Sequence, residues 1–226
     1  AILTDGGSVK GSVVADARQV FGRLPPRFVP GHPIAGTEQS GVDASFAELY
    51  RNRRVILTPL PDTDPVATAQ VQAMWEACGA EVTQMAVDHH DEVLAATSHL
   101  PHLLAYGLVD SLARLRENDE IFRYAAGGFR DFTRIASSHP IMWRDICLAN
   151  REALGQMLAR FQRELAELAA DVEGGDGEAL LAVFERYSKG ARPEGYDPYA
   201  DPKMQGASVA AWENWARAVV ITPLPR

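Results

Sequence analysis

Ala1–Gly11 reads AILTDGGSVKG, and this stretch decides how the first part of the chain is expected to fold. Ala1–Asp5 has the composition of a buried strand, the paired glycines indicate a tight turn, and a helix is predicted from about Ser8 to Phe21. Ligands of doubly wound sheets bind beyond the carboxyl ends of the strands. We therefore expect free backbone N–H groups and the Ser8 hydroxyl to face a crevice there, although a plain turn capped by Ser8 explains the same residues.

Short strands continue to alternate with helices up to about residue 86. Arg27–Pro30 and Arg54–Pro59 are apolar runs that end in proline, which is consistent with parallel strands. Asp64-Pro65 predicts a helix start, because an acid caps a helix well and proline is favoured at its first position. Ala80–Met85 is a further predicted strand. The alternation predicts an α/β sheet for this part of the chain.

Beyond this point the pattern is helical only. One helical pattern runs from Asp88 to Leu115 and is interrupted by Pro101, and a second runs from Ser138 to about Val172. A helix as long as the second generally needs a partner along its length. We therefore predict an all-α dimerisation domain at residues 87–190, followed by an irregular tail at 191–226.

Composition limits the function further. The 226 residues are 46% hydrophobic and 23% charged, which fits a folded chain. The net charge of −8 argues against nucleic-acid binding and means that an anionic ligand needs local Arg or His residues. Two cysteines are too few for a disulfide scaffold. No apolar stretch of transmembrane length and no signal-peptide pattern occur, so we expect a cytoplasmic protein without a membrane partner.

Gly31–Glu38 reads GHPIAGTE and contains the first candidate catalytic residue. His32 follows the predicted strand at Arg27–Pro30 and should lie at the same crevice as Ser8. A neutral imidazole there can accept a proton near neutral pH. The alternative is a loop histidine that makes a single hydrogen bond.

Two further histidines lie in Ser98–His102, which reads SHLPH. His99 and His102 are one helical turn apart and share a face, and Pro101 bends the helix beside them. A metal site is disfavoured, because no nearby acid or cysteine completes a ligand set and no His-Glu-x-x-His pattern occurs. We therefore predict no metal and a polar pocket at the helix bend.

Gly127–Arg134 reads GGFRDFTR and supplies candidate anion-binding side chains. The planar guanidinium groups of Arg130 and Arg134 suit carboxylates. The paired glycines suggest a close backbone approach. The alternative is a surface cluster of salt bridges.

Together these patterns resemble the prephenate dehydrogenase family in order and spacing, from about Ile2 to Leu168. The resemblance implies the C-terminal part of a Rossmann-like nucleotide-binding domain at 1–86 and a helical dimerisation and substrate domain at 87–190. It also implies a homodimeric oxidoreductase of tyrosine biosynthesis that uses NAD or NADP. Such enzymes take a hydride from the ring of prephenate and release the ring carboxylate as CO₂, which leaves 4-hydroxyphenylpyruvate.

The resemblance also implies roles for individual residues. His32 would accept the hydrogen bond and then the proton of the substrate hydroxyl, with Ser8 supporting it. Arg134 would hold the carboxylate that stays on the side chain, because a strong ion pair with the departing one would stabilise the ground state. The other substrate-binding candidates are Thr37, Glu38, His99, His102, Gly127, Asp131 and Trp143. The cofactor-binding candidates are Asp5, Gly7, Ser8 and Pro33.

One feature of the family is missing. No Gly-x-Gly-x-x-Gly occurs in the sequence, although that motif holds the cofactor phosphates. We expect it upstream of Ala1 in a longer chain, and the choice between NAD and NADP therefore stays open.

Alternatives to a prephenate-specific enzyme also stay open. They are an arogenate-preferring dehydrogenase and a non-catalytic dimeric module that binds an aromatic ligand such as tyrosine, which is also a candidate feedback inhibitor. A hydroxy-acid dehydrogenase of similar build is disfavoured. Its usual catalytic lysine on the helical domain would have to be Lys189 or Lys203, which lie in or near the tail.

Overall fold

A computed structural model describes residues 1–36, 41, 43 and 45–188 of the chain. Tyr187 and Ser188 are described by their backbone alone. Two of the substrate-binding candidates, Thr37 and Glu38, and the tail at 191–226 lie outside the described residues. The chain divides into two compact units, Ala1–Glu164 and Leu165–Arg226. None of the described helices combines the length and the apolar character that a membrane crossing requires.

The strands of the described part form two small sheets. β1 (Leu3–Thr4) pairs in parallel with β2 (Phe28–Val29). In the second sheet, β4 (Arg54–Leu57) lies between β3 (Gly31–Ile34), to which it is antiparallel, and β5 (Glu81–Gln84), to which it is parallel. The predicted α/β class is confirmed, and one of the strands runs against the others.

β3 corrects the expected position of His32. We expected His32 to follow a strand that ends at Pro30, but it lies inside a separate strand and pairs with Ile56 of β4. β3 is an edge strand of its sheet, so it tolerates Pro33, which has no N–H to donate to the ladder. His32 is therefore held by strand pairing as well as by its side-chain contacts.

α2 (Pro65–Ala77) packs on this second sheet. Asp64 caps it by accepting a hydrogen bond from the N–H of Val66 at 2.9 Å, which confirms the predicted helix start. Burial of apolar side chains between helix and strands stabilises this part of the fold. The shared core consists of Val29, Val55, Leu57, Ala67, Val71 and Ala80.

The remaining elements are helices. In chain order they are α1 (Lys10–Phe21), which follows β1, and, after β5, α3 (Val87–Leu94), α4 (Leu100–Ala113), α5 (Asn118–Arg123), α6 (Gly127–Thr133), α7 (Pro140–Ala149), α8 (Arg151–Gly174) and α9 (Gly177–Ser188). A π-helical turn at Ala95–His99 joins α3 to α4, and a 3-10 turn at Arg134–Ser137 precedes α7. The π-helical turn lies next to Pro101, which has no N–H to donate to the carbonyl of Thr97.

The predicted uninterrupted helix from Ser138 to Val172 is wrong. α7 ends at Ala149 and α8 begins at Arg151, because Asn150 between them has φ −104° and ψ 30°. The Asn150 side chain is buried, and its Nδ2 donates a hydrogen bond to the main-chain carbonyl of Asp91 at 2.8 Å. A buried polar contact thus accompanies the helix break.

Candidate functional site

An open cavity of about 680 Å³ lies beside β3 and is also lined by residues of the helical part of the first unit. Its wall is built from the turn before α1, from β3, from the π-helical turn and α4, and from the 3-10 turn and α7. The predicted site residues that line it are Ser8, His32, Pro33, His99, His102, Arg134 and Trp143. Residues from four separated sequence motifs therefore meet at one cavity.

The other predicted site residues within the described part do not line this cavity. Asp131 lies exposed on α6, and Gly127 begins the same helix. A Cβ added at Gly127 or Gly128 would meet nothing within 4 Å, so no other described part of the chain closely approaches the backbone at these glycines. Some lining residues were not predicted from the sequence, and one of them, Arg53, which immediately precedes β4, adds a second guanidinium.

Asp5 and Gly7, predicted to bind cofactor, lie beneath the site and hold its backbone. One Asp5 oxygen, Oδ2, accepts a hydrogen bond from the N–H of Gly7 at 2.8 Å, and Oδ1 accepts one from the N–H of Gly31 at 3.0 Å. The fully buried ammonium of Lys10 forms an ion pair with Asp5 and donates to the carbonyl of Gly31 at 2.6 Å. Burial lowers the pKa of Lys10, and Asp5 opposes that shift. Asp5 therefore holds Gly31, the residue before His32, directly through Oδ1 and indirectly through Oδ2 and Lys10.

The start of α1 differs from the prediction. The helix begins at Lys10 rather than Ser8. Of the N–H groups that were expected to be free, those of Gly7, Lys10 and Gly11 are bound within the protein. The Asp91 carboxylate of α3 accepts the N–H of Lys10 at Oδ1 and that of Gly11 at Oδ2, both at 2.8 Å. A carboxylate at a helix N-terminus is favoured by the helix dipole. This end of α1 is therefore occupied by an internal anion.

Asp91 also begins a chain of hydrogen bonds that ends at His32. Its Oδ1 lies 2.8 Å from Nδ1 of His90, and Nε2 of His90 lies 2.9 Å from Nδ1 of His32. His90 is fully buried, and His32 is 9% exposed at the cavity wall. Burial is the main cause, with smaller electrostatic effects of the neighbouring His90 and Lys10, and together they lower the pKa of His32 to about 3. His32 is therefore neutral at neutral pH and can act as a hydrogen-bond acceptor.

The Asp91 carboxylate stays ionised in this arrangement. Burial by itself would raise its pKa, but hydrogen bonds from His90 and from the N–H groups of Lys10 and Gly11 outweigh burial, and the pKa is lowered. Ordinary sequence signals did not reveal this residue, since it lies in a run of polar residues at the start of a helix. Only the tertiary contacts distinguish it from the exposed residues His89 and Glu92 in the same run.

Two more histidines complete the polar wall. His99 is buried, its Nδ1 lies 3.1 Å from Nδ2 of Asn150, and burial lowers its pKa to about 4. Nδ1 of His102 donates to the carbonyl of Ser98 at 2.9 Å, and burial lowers its pKa. The His102 ring stacks on Trp143 with centroids 3.5 Å apart. Among the described residues, no group of three His, Cys, Asp or Glu side chains is arranged to hold a metal ion.

Comparison with known families matches most of the chain. Residues 1–84 match the profile of the prephenate dehydrogenase nucleotide-binding domain, and residues 86–186 match the profile of the prephenate dehydrogenase dimerization domain. The two matches meet between β5 and α3, where the chain passes from the α/β part to the helical part.

Individual relatives agree with these matches. The chain is 43% identical over 191 residues to a cyclohexadienyl dehydrogenase of Zymomonas mobilis, covering 83% of this chain and 64% of that protein. It is 39% identical over 216 residues to a prephenate dehydrogenase of Bacillus subtilis, covering 88% and 57%. The crystal structure of prephenate dehydrogenase from A. aeolicus in complex with hydroxyphenyl propionate and NAD+ superimposes with a TM-score of 0.74 at 44% identity, covering 82% and 64%. The chain thus spans 57% to 64% of the length of these relatives.

Proposed function

The chain belongs to the prephenate dehydrogenase family, and on that premise we propose that it supplies the substrate side of a site that oxidises and decarboxylates prephenate with NAD or NADP. The observation that carries the proposal is the cavity that neutral His32 and cationic Arg134 both line. A chain with a net charge of −8 needs such local cations to attract a dianion.

His32 is the proposed acceptor for the substrate hydroxyl. As the hydride leaves the carbon that bears the hydroxyl, positive charge would build up there unless the hydroxyl hydrogen is drawn away. The free nitrogen of His32 takes that hydrogen bond and then the proton. When the bond to the ring carboxylate breaks, its electrons make the ring aromatic, CO₂ departs and the proton returns to the oxygen. General-base assistance of this kind is worth about a hundredfold to ten-thousandfold in rate.

Arg134 is the proposed partner of the carboxylate that remains on the substrate side chain. Its guanidinium lines the same cavity as His32, and Arg53 lines it too. An ion pair with the retained carboxylate strengthens binding without stabilising the carboxylate that must leave. By the same family resemblance, Glu38, Asp131 and Trp143 are proposed to shape or gate the entrance, and Thr37 and Gly127 are proposed to bind substrate.

The nicotinamide end of the cofactor is assigned to Ser8 and Pro33, both of which line the cavity. A bound nicotinamide would supply the hydride acceptor. The N-terminus of α1 is not proposed as the phosphate site, because Asp91 already binds its N–H groups.

The proposal extends to a homodimer located in the cytoplasm, with tyrosine as a candidate inhibitor. Support for the dimer comes from the family profile that covers residues 86–186. Exposed apolar side chains in the described part of the second unit also support it; they are Leu165, Val172, Leu181 and Phe184. Sedimentation would give the mass of the assembly, cell fractionation its location, and titration with tyrosine its inhibition.

An activity assay on the whole protein tests the proposed reaction. The protein is mixed with prephenate and NAD, then NADP, and the absorbance of reduced nicotinamide is followed. We expect cofactor reduction together with release of CO₂, and a fall of about a hundredfold or more in kcat for His32→Asn. Replacing prephenate by arogenate decides substrate preference. Absence of turnover with every combination, alongside binding of tyrosine, would instead favour the non-catalytic module.

A further inference from the structure

We propose that His90 and Asp91 are positioning residues that hold His32 in the tautomer with hydrogen on Nδ1, so that Nε2 is left as the acceptor for a ligand hydroxyl. The inference rests on the proposed function in assigning the hydroxyl to a substrate. Its structural content is the hydrogen-bond chain from Asp91 through His90 to His32, and that part can be tested without substrate.

The chain has a defined direction because Asp91 can only accept. Its two oxygens are held by the N–H groups of Lys10 and Gly11, so the carboxylate cannot turn away from His90. An ionised carboxylate offers no hydrogen, and the nitrogen that faces it at 2.8 Å, Nδ1 of His90, must therefore carry one.

The hydrogen on Nδ1 of His90 also determines the direction of the next hydrogen bond. With its hydrogen on Nδ1, a neutral His90 has a lone pair on Nε2. The nitrogen 2.9 Å away, Nδ1 of His32, must then donate. Nε2 of His32 is left with the lone pair, on a side chain that lines the cavity.

The competing arrangement places a second hydrogen and a positive charge on His90. Nε2 of His90 would then donate to His32, and His32 would carry its hydrogen on Nε2 and lose its acceptor. Two features oppose this. His90 is fully buried, where an added charge is unfavourable. The negative charge of Asp91 is already balanced by the start of α1 and by the nearby Lys10.

The arrangement follows the logic by which a carboxylate orients a catalytic histidine in hydrolases. Here a second imidazole is inserted between the carboxylate and the histidine that faces the cavity. Because Asp91 stays ionised, its role is to orient the rings and to stabilise positive charge on them, and the proton taken from substrate is held on His32 without passing to Asp91.

The first test is NMR of the whole protein labelled with ¹⁵N in its histidine rings. His32→Asn assigns the His32 signals by their loss. We expect the Nδ1 of His32 to show the shift of a protonated ring nitrogen and its Nε2 the shift of an unprotonated one, with the same pattern in His90. A His32 ring protonated on Nε2, or a doubly protonated His90, would overturn the proposal.

The second test compares two substitutions of His90. The Gln side chain of His90→Gln can place a carbonyl oxygen near the position of Nε2 and accept from His32, whereas His90→Leu cannot accept at all. We expect His90→Leu to mix the two tautomers of His32 and to lower kcat by about a hundredfold with a much smaller change in KM, and His90→Gln to restore most of both. Equal losses in both variants, with the tautomer signals unchanged, would contradict the inference.

His89 provides the matched control, since it is adjacent in sequence and its side chain is 63% exposed. We expect His89→Gln to change neither the His32 signals nor kcat. The two proposals fail separately. If the wild-type tautomers are as stated but prephenate is not turned over, the proposed function falls and the positioning stands; turnover with the opposite tautomer removes the positioning alone.

Discussion

Nδ2 of Asn150 lies 3.1 Å from Nδ1 of His99 while it also donates to the carbonyl of Asp91. A carbonyl can only accept, so the amide orientation of Asn150 is fixed and its second hydrogen points at His99. His99 must then accept at Nδ1 and carry its own hydrogen on Nε2. His99 is therefore a hydrogen-bond donor, whereas the proposal makes His32 an acceptor. The cavity wall thus contains both a donor and an acceptor.

The first prediction concerns this buried amide. Asn150→Ala leaves the carbonyl of Asp91 and Nδ1 of His99 without their donor, and we expect the free energy of unfolding to fall by about 2 kcal/mol. Urea denaturation measures the change. Asn118→Ala is the control, because Asn118 also donates from Nδ2 to a main-chain carbonyl but does so at the surface. A loss no greater than that of the control would show that the buried contacts contribute little.

The second prediction concerns Arg134. If it holds the retained carboxylate, Arg134→Ala should raise KM for prephenate about tenfold or more, since hydrogen bonds to charged groups contribute about 1.5–3 kcal/mol. Arg130→Ala is the control, because Arg130 lies on the preceding helix and does not line the cavity. Steady-state kinetics with both variants would decide the matter, and an unchanged KM in Arg134→Ala would remove the assignment.

The third prediction is that the protein loses stability in mild acid. The pKa of His32 is about 3 and that of His99 about 4 in the folded protein, against 6.5 as the ordinary value. Below pH 6.5 the unfolded chain therefore binds protons that the folded chain does not. The stability present above pH 6.5 falls as the pH drops towards these two values, by a few kcal/mol in total, since one pKa unit corresponds to about 1.4 kcal/mol.

Urea unfolding at pH 7 and pH 5 measures this loss. His32→Gln removes one of the two groups and should weaken the dependence on pH. The exposed His89 serves as the control, and His89→Gln should leave the dependence as it is in the wild type. A stability that does not change between the two pH values would contradict the lowered pKa values.

The fourth prediction concerns Gly11. A Cβ at this position would lie 2.9 Å from Oδ2 of Asp91, which is too close for the carboxylate to keep its place. We expect Gly11→Ala to displace Asp91 and thereby to lower kcat, although alanine is otherwise better than glycine in a helix by about 1 kcal/mol. Gly107→Ala in α4 is the control, because a Cβ there meets nothing within 4 Å. Equal activity in the two variants would show that Asp91 adapts without consequence.

The fifth prediction concerns the buried ion pair beneath the site. Lys10→Met leaves the Asp5 carboxylate without its buried partner and should lower the free energy of unfolding by about 3 kcal/mol. The double variant Lys10→Met, Asp5→Asn removes the uncompensated charge and should recover part of the loss. Thermal or urea denaturation of the three proteins gives the comparison, and a double variant less stable than Lys10→Met would contradict it.

Local sequence signals predicted those parts of the fold that local chemistry determines. Asp64 followed by proline gave the start of α2, because an N-cap acid and a first-turn proline act within a few residues. The motifs around His32, His99 and Arg134 indicated which residues would share a cavity. These motifs combine residue types that are unusual together, and a resemblance to a family can be read from them.

The rest could not be predicted because it depends on contacts between distant elements. Asp91 occupies the start of α1 across some eighty positions of sequence, and no local pattern signals that contact. Likewise, no glycine or proline predicts the helix break at Asn150. The break is accompanied by the buried hydrogen bonds of the Asn150 side chain. Both residues are polar, and residue type alone would have assigned them to a solvent-facing surface.

The position of Asp91 has a consequence for folding and motion. The carboxylate belongs to the segment that begins the helical part, while the N–H groups that it binds belong to the α/β part. If the two parts separate, the first turn of α1 loses its hydrogen bonds to Asp91 and His90 loses its hydrogen bond to His32 at the same time. In the proposed arrangement, Nε2 of His32 is therefore fixed as the acceptor only while the two parts are packed together. Their packing also completes the proposed reactive geometry.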